Sequence, residues 1–199
     1  MSQLTARHWV FDMDGTLTCA IHDFDLMRRT MSVPDGIDIL DYLNALPDEE
    51  AERHFQWLRQ YEYELAGQAQ AAEGIHDLLS RLLEKGVTLG LLTRNMAPLA
   101  RLTLERAGLS DFFPAETLLG RDDAEPKPDP DGLNRLASQW QVKPSSLVMV
   151  GDSIIDVMTG RAAGAYTVLL HSDDEEAEAL ADLSVNTAKA LIERLNGHA

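Results

Sequence analysis

One cysteine, Cys19, stands in 199 residues, so no intramolecular disulfide can form. Basic residues are scarce as well: 17 Lys and Arg face 33 Asp and Glu, for a net charge of −16. That balance speaks against nucleic acid and against anionic membrane, since both need a basic patch. An anionic small molecule stays open as a partner, provided a local cation receives it. No apolar run approaches the ~18 residues that cross a bilayer, and Met1-Ser2-Gln3-Leu4-Thr5 lacks a signal-peptide core. The expected compartment is the cytoplasm. Cys19 has no evident His or Asn partner, which disfavours a thiol nucleophile. Internal repeats and low-complexity linkers are missing too.

What the chain does have is 45% hydrophobic residues, enough for one well-buried core, either one domain or one domain with an insertion. Apolar runs recur along it. His8-Trp9-Val10-Phe11, Val87–Leu92, Ala115–Leu119, Leu147–Val150 and Ala165–Leu170 read as strands. Helical patterns alternate with them: Ile75, Leu78, Leu79, Leu82 and Leu83 closed by Gly86; a helix opened by Pro98 and ended by Gly108; Leu133, Leu136, Ala137 and Trp140; and a helix ending at Gly164. Continuous apolar strands between helices predict a mostly parallel sheet covered on both faces. From Ala20 to Ala72 no strand-like run occurs. Asp38–Leu43 reads as helix, Pro47-Asp48-Glu49-Glu50 as a helix start, and Ala51, Phe55, Leu58 and Leu65 as a helical stripe. This is a helical insertion between the first strand and the next helix. The acidic stretch Asp173–Glu176 opens the last helical region.

The informative fact is where the polar groups fall. Asp12/Asp14, Thr93/Asn95, Lys127 and Asp152/Asp156 each sit at a strand end or in the loop after it. In a parallel sheet all four groups share the C-terminal edge, where ligands bind. Asp12 and Asp14 start on the same side of an extended chain, and Gly15 lets it turn. Carboxylates this close repel unless a cation or a shared proton intervenes. The set suits phosphoryl transfer. Asp12, Asp14 and Asp152 are hard oxygen ligands that favour Mg²⁺, Lys127 balances charge on the transferring group, and Thr93 offers a hydroxyl. A carboxylate can itself be the nucleophile.

Asp12-Met13-Asp14-Gly15-Thr16, Thr93, Lys127 and Gly151-Asp152-Ser153-Ile154-Ile155-Asp156, in that order, resemble the motifs of the haloacid dehalogenase superfamily. The likeness is to its phosphoglycolate-phosphatase-like members and runs from Val10 to about Leu170. It implies an α/β, Rossmann-like parallel sheet flanked by helices, with a small all-helical cap inserted after the first strand. Residues 1–17 and 74–199 would form the core and 18–73 the cap. It implies Asp12 as nucleophile and metal ligand, and Asp14 as general acid/base that also offers its backbone carbonyl to the metal. Asp152 would be the third protein ligand, with Asp156 beside it or acting through water. Thr93 and Lys127 would hold the phosphoryl group, and Arg94 and Asn95 beside Thr93 would also bind substrate. The implied activity is Mg²⁺-dependent hydrolysis of a small, phosphoglycolate-like phosphomonoester through an aspartyl phosphate.

Asp14 argues against the dehalogenases that name the superfamily and against its phosphonatase branch. Two readings compete with the phosphatase: a phosphomutase of the β-phosphoglucomutase type, and a non-catalytic phospho-acceptor receiver domain. The helical insertion fits the receiver poorly. Arg28, Arg29, Arg53 and Arg59 of the insertion are candidates to meet a substrate anion. Monomer and homodimer are equally compatible with the sequence.

Overall fold

The computed structural model describes residues 3–21 and 23–197. Its centre is a six-stranded sheet, all strands parallel, in the order β3-β2-β1-β4-β5-β6. The strands are β1 (His8–Phe11), β2 (Thr88–Leu92), β3 (Leu118–Leu119), β4 (Leu147–Gly151), β5 (Tyr166–Leu170) and β6 (Leu183–Val185). Alternation along each strand builds two cores. Trp9 and Phe11 of β1, with Val148 and Val150 of β4, pack under α4 (Ile75–Glu84), α5 (Ala97–Arg106) and α9 (Ala188–Asn196). Val10, Met149 and Leu92 face the other way, onto Leu133, Leu136 and Ala137 of α6 (Asp131–Gln139). On that second face Leu169 packs with Val157 of α7 (Ile154–Ala163) and Ala177 of α8 (Glu175–Leu180). Both faces of the sheet are thus covered, which is why its central strands carry no polar side.

Chain order reverses on either side of β1, and that places a crevice above the C-terminal ends of β1, β2 and β4. The loop leaving β1 is tight. Met13 O accepts from the amides of Thr16, Leu17 and Thr18, and Asp12 N donates to Val150 O, tying the strand tip to β4. Gly15 is required twice over: its φ is +86°, and a Cβ there would lie 2.2 Å from Asp152 Oδ2.

Three helices follow β1: α1 (Phe24–Met31), α2 (Ile39–Asn44) and α3 (Asp48–Ala66). Asp23 and Asp38 cap the first two by accepting backbone amides. The three enclose a separate apolar cluster of Met27, Met31, Val33, Ile39, Leu43 and Leu58. The chain enters and leaves the block side by side: Cys19 N donates to Gln70 O, and Ala72 N to Leu17 O.

Several sequence expectations need correction. The third strand is only Leu118–Leu119, because a 3-10 turn occupies Ala115–Thr117. Strand β6 interrupts the last region, which the acidic stretch led us to read as helix throughout. Leu83, assigned to the apolar face of α4, is 44% exposed. On α3 the buried positions are Leu58, Glu62 and Ala66. No helix among the described residues is long and apolar enough to cross a membrane.

The separate cluster in the helical block has a measurable consequence. Leu58→Ala should cost about 2–5 kcal/mol within that block. Amide exchange should rise across residues 24–66 while β1 and β4 keep their protection. Equal loosening of the sheet would show that the block has no core of its own.

Candidate active site

The crevice opens into a cavity of about 390 Å³ between the sheet edge and the helical block. Its floor is built around Lys127. This side chain is buried, and its ammonium donates to Asp12 Oδ1 and, at 2.6 Å, to Asp156 Oδ1. Asp12 ends β1, Asp156 lies in the first turn of α7, and Lys127 comes from the loop between β3 and α6. Burial pulls the lysine down, but the charges of Asp12 and Asp156 and the hydrogen bonds they accept outweigh it, so the group stays protonated. Asp156 has a second task. Its Oδ2 accepts from Ser153 Oγ at 2.6 Å, and Ser153 Oγ accepts from Asp156 N, a capping box at the start of α7. Asp156 thus both caps α7 and lines the cavity.

Carboxylates crowd the same point. One oxygen from each of Asp12, Asp152 and Asp156 lies within 4.8 Å of the others. Burial pushes Asp12 well above the ordinary carboxyl range; Lys127 opposes this, and Asp156, Asp152 and Asp14 add to it. Burial and then the Asp156 charge raise Asp152 to about 6, although Thr16 Oγ1 donates to it at 3.1 Å. Three oxygens held together against their own repulsion fit a hard divalent cation. The Asp14 side chain stands apart from this triad: its Oδ2 accepts from Asn95 Nδ2 at 2.7 Å.

The segment after β2 supplies three neighbours with three different positions. Thr93 is buried, and its Oγ1 accepts from Asn95 N, which leaves the hydroxyl hydrogen to be donated. Asn95 orients Asp14. Arg94 lines the cavity but reaches across to the helical block, pairing with Asp38 at 2.8 Å. Burial would raise Asp38, yet the Arg94 hydrogen bond and charge hold it below its ordinary value. Of the four arginines singled out in the insertion, only Arg28 lines the cavity, with its Nη1 donating to Pro34 O. Arg59 pairs with Glu52, and Arg53 donates to Glu49 O.

Two cavity residues escaped the sequence reading. Glu62 of α3 is 6% exposed, and its carboxylate lies 3.7 Å from Nη1 of Arg121, which follows β3. Burial raises Glu62 to about 7; Arg121 and Arg59 oppose this, and Asp14 adds to it. Nothing local marked either residue, since Glu62 sits among exposed acids on a long helix and Arg121 opens an acidic loop. A folded pKa above the unfolded one means the native state holds the extra proton between pH 4.5 and 7, so stability falls as pH rises through that window. Removing the titration with Glu62→Gln should shift stability in the variant's favour between pH 5 and pH 8, by up to about 3 kcal/mol. Thermal unfolding of both proteins across that range checks it. A difference independent of pH would mean Glu62 does not titrate there.

Comparison with known proteins bears on this geometry. The sequence model described as haloacid dehalogenase-like hydrolase matches residues 27–170. A haloacid dehalogenase-like hydrolase domain-containing protein of Arabidopsis thaliana is 34% identical over 176 residues, covering 82% of this chain and 70% of that one. The N-acetylmuramic acid 6-phosphate phosphatase of Pseudomonas aeruginosa is 26% identical, covering 98% of this chain and 97% of its own. The crystal structure of a hydrolase from Pseudomonas syringae superimposes with a TM-score of 0.80 at 24% identity, over 97% of this chain and 99% of that one. On the family match and the Arabidopsis relative, with Asp12, Thr93, Lys127 and Asp152 gathered at one sheet edge, the chain belongs to the haloacid dehalogenase-like hydrolases.

Proposed function

We propose that the protein is a Mg²⁺-dependent phosphatase acting on a small phosphorylated metabolite through an aspartyl phosphate on Asp12. The observation that carries the reading is the meeting of Asp12, Thr93, Lys127 and Asp152 around one cavity at the switch point of a parallel sheet. A relative named as a phosphatase supports it. Membership in a hydrolase family and the helical block after β1 speak against the receiver-domain reading.

In this reading Asp12 attacks phosphorus, with Lys127 bonded to its Oδ1 and its positive charge opposing the rise that burial imposes on this carboxyl. Asp14, oriented by Asn95, gives its proton to the departing alkoxide. The ionised Asp14 then takes a proton from water as that water attacks the aspartyl phosphate. Inorganic phosphate leaves and Asp12 is regenerated. Thr93 and Lys127 hold the phosphoryl oxygens, where negative charge accumulates. Asp12 and Asp152, with the Asp14 carbonyl and with Asp156 at hand, would hold Mg²⁺. The ion would supply charge neutralisation for the phosphoryl group among the acids. Residues 18–73 would act as a cap hinged near Thr18-Cys19 and Glu73-Gly74, excluding water and restricting substrates to small molecules.

Replacing the nucleophile tests the mechanism most directly. Asp12→Asn should lower turnover of an aryl phosphate by at least ~10³-fold, or ~4 kcal/mol of barrier. The fold should survive, because Lys127 keeps Asp156 as its partner. Near-normal turnover in the folded variant would remove Asp12 from the mechanism.

The acid cluster gives a readout without catalysis. Millimolar Mg²⁺ should raise the thermal midpoint of the wild-type chain, since binding relieves carboxylate repulsion only in the folded state. Asp152→Asn should lose most of that rise. An unchanged midpoint with and without chelator would argue that the three acids hold no divalent ion.

A further inference from the structure

The floor of the cavity is accounted for by the reaction, but its α3 wall is not. Glu62 Oε2 is buried there without a hydrogen-bond partner. The other carboxylate oxygen faces Arg121 at 3.7 Å, close enough for charges to attract and too long for a hydrogen bond. Among the described residues the Arg121 side chain makes no hydrogen bond, although a guanidinium carries five donors. A buried acceptor and a donor-rich cation thus line one wall of the same cavity, each with capacity unspent.

We propose that Glu62 and Arg121 form the subsite for the leaving group, and that it takes a hydroxyl-bearing alcohol of the kind found in polyol and sugar phosphates. The proposal rests on the phosphatase reading above. A hydroxyl gives its hydrogen to Glu62 and accepts one from Arg121, satisfying both at once. An unsubstituted alkyl group leaves the buried carboxylate oxygen unpaired, and sites built to bind a hydroxyl reject analogues without one. A leaving-group carboxylate, as in phosphoglycolate, meets the Glu62 charge in a buried place. The Glu62 carboxylate, where ionised, offsets the Arg121 charge and weakens its attraction for an added anion.

Position supports the assignment. Asp14 is near enough that its charge acts on Glu62, and Asp14 is the residue serving the leaving oxygen. The subsite therefore stands beside the alcohol that departs, away from the phosphoryl group held at Lys127. Phe24, Met27 and Leu58 supply the apolar remainder of that wall, suited to the carbon skeleton of a small alcohol.

The test compares kcat/KM for glycerol phosphate, propyl phosphate and phosphoglycolate, with p-nitrophenyl phosphate as reference. It uses the full chain with Mg²⁺, first as wild type and then as Glu62→Met. Wild type should prefer glycerol phosphate to propyl phosphate by about tenfold or more, with phosphoglycolate below glycerol phosphate. In Glu62→Met the ratio of glycerol to propyl phosphate should fall toward one, and phosphoglycolate should gain on both. Equal rates for glycerol and propyl phosphate in wild type would overturn the proposal, as would phosphoglycolate leading the panel. A variant that slows all substrates by one common factor would do the same, because it would mark Glu62 as a structural residue. Failure to turn over any phosphate, the aryl reference included, would sink the phosphatase reading and this subsite with it. Turnover without discrimination would sink the subsite alone.

Discussion

Lys127 between Asp12 and Asp156 is the contact on which the rest of the site depends. A buried ammonium is tolerated only where opposite charge and hydrogen bonds replace its water. Lys127 is the one basic residue buried among those described, and it is held by acids from two different elements. To reach them, the loop after β3 must fold back over the tips of β1 and β4. The charge requirement therefore fixes the path of the backbone. Asp156 extends the constraint into α7, since the oxygen not used by Lys127 caps that helix. Removing the lysine would leave Asp12, Asp152 and Asp156 with neither a cation nor enough water, and the strand tips would part.

The helical block is joined to the sheet edge by weaker means. Arg94 and Asp38 are each about one-third exposed, so their ion pair is worth at most about 1 kcal/mol. Asp38 also caps α2, so this contact ties the orientation of that helix to the segment carrying Thr93 and Asn95. The second link, Glu62 with Arg121, is buried but loosely paired, and burial of the carboxylate works against it. Neither link is strong enough to lock the block in place. Each joins a residue of the block to one next to the site, as the proposed cap would require if it opens for substrate.

Legibility in the sequence followed burial. Strands β1, β2, β4 and β5 are buried on both faces, so each is a run of four or five mostly apolar residues that stands out. Edge strand β6 has three residues, too few for any period to register, and β3 stood out only as part of a longer apolar run of which two residues pair. The site was legible where one position carries one demand. Asp12, Lys127 and Asp152 had no other reason to recur at strand ends. It was illegible where a side chain matters only through a distant neighbour. Glu62 looks like any acid on α3 until tertiary packing buries it, and nothing beside Arg94 in the sequence shows that Asp38 comes within its reach. Choosing arginines of the insertion by charge alone found one cavity residue, Arg28, and passed over Arg121, which follows β3 outside the insertion.

Charge at the cavity wall also explains how so acidic a chain could receive a phosphate. Six acids line it: Asp12, Asp14, Asp38, Glu62, Asp152 and Asp156. Four bases face them: Arg28, Arg94, Arg121 and Lys127. Two of the four are already committed, Lys127 to two carboxylates and Arg94 to one. A dianion entering this cavity alone would add to an existing excess of negative charge. On the phosphatase reading, a divalent ion where Asp12, Asp152 and Asp156 converge would cancel that excess. Metal and substrate would then bind with mutual assistance, each lowering the electrostatic cost of the other. Overall acidity thereby becomes an asset. It would repel polyanions from the surface, while local, metal-dependent cancellation of charge would admit a small phosphate.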